Sequence, residues 1–181
     1  MAFPQVLRLG MSAFPARLAY GMIGLGIFFK TEQETGSVAA AGFAIGLNSL
    51  AGAATAGLRG SVMDRFGQKW PIRILVPLYA GLILLLNTMD TRQSILITAF
   101  ILGLTAPPIN LSVRPLWKDI VPESYLRTAY AFDSSMMSST SVIGPVAITA
   151  LSLSSRPGLG LGTVAALMLF GGIALSLTPV S

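Results

Sequence analysis

The sequence predicts an all-α membrane protein, with six transmembrane helices in one bundle over residues 1–181 and both ends cytoplasmic. Three observations carry that expectation: composition, the spacing of apolar runs, and the uneven charge of the connections between them. The chain is 53% hydrophobic and 10% charged, with a mean hydropathy of +0.73, against roughly 25% charged in soluble domains. Apolar runs lie at about 11–29, 36–58, 72–89, 94–113, 129–151 and 158–178. About 20 helical residues cross a hydrocarbon core, so each run is of spanning length. With alternating spans, the N-terminus and the connections 59–73 and 114–128 share one side. That side holds Arg8, Arg17, Arg59, Arg65, Lys69, Arg73, Arg114, Lys118 and Arg127, nine basic residues against three (Lys30, Arg92, Arg156) opposite. The bias assigns the richer side to the cytoplasm of a cell membrane.

Composition also excludes functions. The net charge of +5 sits in short connections and not beside stacking aromatics on a polar face, so no nucleic-acid partner is expected. The chain has no Cys and no His, which removes disulfides, thiol catalysis, the usual zinc sites and any His base. No carboxylate pair or nucleophile–base set lies within the spans. An enzyme is not expected, and neither is a metal or cofactor.

Taken in order, the first run carries Pro15 and Arg17; Arg17 is expected near its cytoplasmic end, snorkelling to headgroups as an orientation anchor. The polar segment 30–37 follows as a connection. The second run has small residues at fourfold spacing (Gly42 with Gly46, Gly52 with Ala56, Ala53 with Gly57), a pattern for close helix packing. Asn48 within it needs a hydrogen-bond partner. The third run is aliphatic and suits a peripheral, lipid-facing place. The fourth ends in Ala106-Pro107-Pro108-Ile109-Asn110. These prolines remove backbone donors and bend the helix, either to open carbonyls to a cavity or only to adjust packing. In the connection 114–128, Trp117 and Tyr125 suit the membrane interface. Asp133 opens the fifth run, which has Gly144-Pro145 at its centre; the other six acids fall in connections.

The stretch Gly60-Ser-Val-Met-Asp64-Arg65-Phe-Gly67-Gln68-Lys69 is the most specific motif. Gly60 and Asp64 share a helix face, Gly67 can end that helix, and Pro71 can open the next. The spacing Gly-x-x-x-Asp-Arg-x-Gly-x-Lys resembles the signature loop between the second and third helices of major facilitator superfamily (MFS) transporters, with Gln68 where a basic residue is common. The stretch Arg114-Pro-Leu-Trp117 to Ala131-Phe-Asp133 looks like the connection between helices 4 and 5 in that family. Gly144-Pro145 is the core of its helix-5 antiporter motif, although Thr140, Ile148 and Thr149 replace the flanking glycines.

The resemblance covers the chain and implies the N-terminal half of an MFS fold, whose two six-helix bundles hold the substrate between them. It further implies that Asp64 is a conformational latch, with Gly60, Arg65, Gly67 and Lys69 shaping the loop and Arg65 and Lys69 pairing with acids such as Asp119. Helices 1 and 4 line the family's cavity, which would here present Tyr20, Thr105 and Asn110, and a neutral or apolar small molecule as substrate. The expected partners are the lipid bilayer and a second bundle, in cis or in trans. Because the chain stops three residues after the sixth run, a truncated product or half of a longer protein is expected. The alternative is a non-transporting six-helix membrane protein that assembles with itself or a partner.

Overall fold

The computed structural model describes residues 3–67, 69–154, 156 and 158–177. Among the described residues the regular elements are all helical. They are α1 (Phe3–Thr35), α2 (Val38–Phe66), α3 (Lys69–Thr88), α4 (Arg92–Thr105), α5 (Ile109–Ile120), a 3-10 turn (Glu123–Tyr125), α6 (Leu126–Ser152) and α7 (Leu159–Ser176). Four of these, α1 from Val6, α2, α3 and α7, are long and apolar enough to cross a membrane, and α4 is apolar but shorter.

Several boundaries differ from the expectation, each for a local reason. The polar segment after residue 29 is not a connection: α1 continues to Thr35. A Lys30–Glu34 ion pair one turn apart at 2.6 Å holds it, and the Thr31 and Thr35 hydroxyls donate back to carbonyls four residues earlier. Ser37 then caps α2 by accepting from the Ala40 N–H at 3.2 Å. The connection 59–73 is likewise helical on both sides of Gly67, which ends α2 at φ 76°, ψ 170°, in the half of backbone space that favours glycine. Pro71 follows in the first turn of α3, where its missing N–H does no harm. The fourth run divides into α4 and α5, and α5 takes over much of the connection expected from 114 onward.

At the centre, α1 packs against α7, α6 and α2; α2 lies along α4, and α3 is wedged between α7 and α4. Small residues set the closest crossings. A Cβ added to Gly144 would stand 2.7 Å from the backbone of Gly21, so α6 and α1 touch main chain to main chain there. Gly103 of α4 meets α2 at Asn48 and Ala51 in the same way. The small residues of α2 behave differently from expectation. Ala40, Ala41, Ala44 and Ala51 are its buried positions, whereas Gly42, Gly46 and Gly57 face open space. Of the expected glycines, Gly52 alone faces a neighbour: a Cβ added there would stand 3.6 Å from the Gly103 carbonyl oxygen. The third helix is only half peripheral: Ile72, Val76, Tyr79, Ile83 and Leu86 are buried, and Ile74, Leu78, Leu84 and Leu85 are exposed.

Candidate functional site

Pro107 and Pro108 determine the structure around them. Neither can donate to the carbonyl four residues earlier, so Gly103 and Leu104 lose their helical partners. The residue before a proline is also pushed out of the helical region, and Ala106 sits at φ −54°, ψ 119°, ending α4. Carbonyls freed inside an apolar bundle need other donors.

The face of α2 turned to α4 supplies them. Asn48, Thr55 and Arg59 stand seven and four apart, on one side of the helix. Asn48 Nδ2 donates to Ala99 O at 2.9 Å, giving this residue the partner the sequence demanded. Thr55 Oγ1 lies 3.4 Å from Leu104 O. Arg59 Nη1 reaches Gly103 O at 3.4 Å and Ala106 O at 2.6 Å, while Nη2 donates back to Gly52 O. The two carbonyls that the prolines orphan are those that Arg59 and Thr55 meet. The guanidinium also stands at the C-terminal end of α4, where the helix dipole favours a cation.

Tyr20 completes this cluster from α1, its hydroxyl donating to Pro107 O. Its ring leans on Tyr79 of α3, with centroids 6.0 Å apart. Of the other expected cavity residues, Thr105 is half-buried in the last turn of α4, its hydroxyl donating to Ile101 O at 2.9 Å, and Asn110 is exposed in the first turn of α5. All three therefore gather around the proline break. Arg59, counted in the sequence only as a topological charge, is the residue that sequence reasoning missed. The signal was available in the i, i+7, i+11 spacing of Asn48, Thr55 and Arg59, set beside two prolines in need of donors.

A second polar feature was also misjudged. Arg17 is not a headgroup anchor: it is 3% exposed and pairs with Asp133 of α6, with Nη1 to Oδ1 at 2.7 Å. Asp133 is fully buried, so a carboxylate does lie inside the bundle. Each ion is too costly to bury alone, and the pairing of the two is what permits both. Trp117 likewise leaves the expected interface; it is fully buried, edge-on to Phe132 at 6.5 Å between centroids. Tyr125 is exposed.

The signature residues occupy the α2–α3 corner. Gly60 is half-buried, with open space where a Cβ would be, and Asp64 and Arg65 are exposed in the last turns of α2. The Arg65 guanidinium lies over the Phe66 ring, 5.5 Å from its centroid. Lys69 begins α3. Asp64 makes no ion pair among the described residues. The expected pairing of Arg65 and Lys69 with Asp119 cannot be followed, since the Asp119 side chain lies outside the described ones. Gly144 has a definite role as the α1 crossing point, with the half-buried Pro145 beside it. Among the described residues no group of His, Cys, Asp and Glu is placed to hold a metal.

Comparison with curated proteins and with solved structures finds no match to this chain. The family model of the Major Facilitator Superfamily matches residues 9–181. That match takes in the α2–α3 corner, the proline break and the Gly21–Gly144 crossing alike, and the apolar helices agree with a protein of many membrane passes. The chain belongs to the Major Facilitator Superfamily, a family of membrane transporters.

Proposed function

We propose that this chain forms one six-crossing bundle of an MFS-type secondary transporter, carrying a small molecule across the cell membrane against a second such bundle, in cis or in trans. The match to the family over residues 9–181 is the observation that carries the reading. In it, α4, the proline break and α5 together make the fourth crossing, α6 the fifth and α7 the sixth, with both ends cytoplasmic. α6 spans about 40 Å by its 27 residues. Its exposed Ser134, Ser135, Ser138, Ser139 and Ser141 suit a polar cavity better than lipid. Asp64 supports the latch role: a carboxylate at a helix C-terminus is unfavourable by itself, and an opposing helix N-terminus or cation on the second bundle would relieve it.

The absence of Cys makes a direct test simple. Asp90→Cys, in the α3–α4 turn, should react with a membrane-impermeant maleimide added to intact cells. Glu123→Cys should react only after the cells are opened. The reverse pattern, or equal labelling of both, would remove the six-crossing topology and with it the transporter layout.

A further inference from the structure

Arg59 is a half-buried cation with no carboxylate partner among the described residues, where the ion pairs are Arg17–Asp133 and Lys30–Glu34. An ionisable side chain set among apolar helices is expensive to keep there unless its charge is answered or used. Carbonyls answer it only in part. A guanidinium carries five N–H donors, and the contacts to Gly103 O, Ala106 O and Gly52 O occupy both hydrogens of Nη1 and one of Nη2. The Nε hydrogen and one Nη2 hydrogen make no contact among the described residues, and guanidinium N–H groups are the donors best suited to the oxygens of a carboxylate or phosphate. The three carbonyl contacts hold the guanidinium still, so its remaining N–H groups are presented in a fixed orientation. Tyr20 and Thr105 stand at the same proline break with their hydroxyls already committed to carbonyls. The Arg59 guanidinium is thus the strongest donor remaining in this cluster.

From this arrangement we infer that Arg59 is the anion subsite of the bundle, and that the carried molecule bears a carboxylate or phosphate group. The inference rests on the transporter reading and replaces the neutral or apolar substrate that the sequence suggested. That expectation treated Arg59 as a charge in a connection, and the structure places it beside the break in α4.

The test is equilibrium protection of the unmodified chain, purified in detergent, against phenylglyoxal, with modification at each arginine counted by peptide mass spectrometry. Inorganic phosphate or acetate at tens of millimolar should slow modification of Arg59 severalfold and leave Arg65 and Arg73 unchanged. Arg59→Gln should weaken phosphate binding, followed by melting temperature, by about tenfold or more, and Arg59→Lys should keep part of it. Equal protection of all three arginines, or none at Arg59, would overturn the inference without any variant having to fold. Phosphatidylglycerol nanodiscs distinguish a lipid source. If that lipid protects Arg59 where phosphatidylcholine with phosphate does not, the anion is a headgroup and the substrate assignment falls. The two readings fail separately. Uptake of a neutral solute by the transporter, without protection of Arg59, removes the anion subsite and leaves the transport reading. Protection of Arg59 without carriage of any anion removes this substrate class and leaves a binding site.

Discussion

Two arginines with similar places in the sequence have opposite fates. Arg17 stands inside the first apolar run and Arg59 directly follows the second, yet Arg17 meets a carboxylate in the bundle and Arg59 meets carbonyls. Hydropathy set both at the cytoplasmic side and gave no sign of what they face, because the partner comes from a helix more than a hundred residues away or from a broken turn. The Arg17–Asp133 pair allows a quantitative prediction. Removing one member of a buried pair costs about 3–5 kcal/mol, since the other charge stays behind, so Asp133→Asn and Arg17→Gln should each lower the melting point of the purified chain markedly. Residues in direct contact also couple, by about 0.5–3 kcal/mol, so the double variant should lose less than the sum of the singles. Strict additivity in that cycle would mean that the 2.7 Å contact contributes nothing to stability.

At the scale of elements, the sequence carried most of the helices and misplaced their ends. Six apolar runs correspond to α1, α2, α3, the α4–α5 pair, α6 and α7. The errors came from side chains that extend helices by local hydrogen bonds, such as Thr31, Thr35 and the Lys30–Glu34 pair, which hydropathy cannot register. The proline break was legible as chemistry and the spacing of Asn48, Thr55 and Arg59 marks one face of α2, but their match to the freed carbonyls emerges only once α2 is laid along α4. That cradle is also testable. Replacing Pro107 and Pro108 with Ala restores the N–H groups that Gly103 and Leu104 lack, and a continuous helix then competes with Arg59 and Thr55 for the same carbonyls. Spin labels at Gln93 and Lys118, both exposed, read the outcome by pulsed dipolar spectroscopy. In the double Ala variant their separation should approach the about 37 Å of an unbroken helix and exceed that of the parent chain. An unchanged distance would mean that packing against α1 and α2, and not the prolines, sets the break.

For the whole molecule, the distribution of what is satisfied and what is left open bears most on function. Inside the bundle, main-chain crossings at Gly21–Gly144 and Gly103 and the buried ion pair make α1, α2, α4 and α6 a closely joined body. Outside it, Gly42, Gly46 and Gly57 of α2 have nothing against them, and Asp64 ends the same helix exposed and without an ion-pair partner among the described residues. In the transporter reading proposed above, a body closely joined within and open along one helix would be the half that rocks against a second. If Asp64 latches that contact, its charge matters in one conformational state and contributes little to the fold, because an exposed carboxylate opposing a helix dipole is at best neutral for stability. Asp64→Asn should therefore leave membrane insertion and melting temperature unchanged, within about 0.5 kcal/mol for an exposed site, and lower the initial rate of transport severalfold. Asp64→Glu, with the same charge one methylene further out, should recover part of the rate. A normal rate in Asp64→Asn would reduce the α2–α3 corner to a tight turn with a topological charge, and would move the search for the latch to the serine-bearing face of α6.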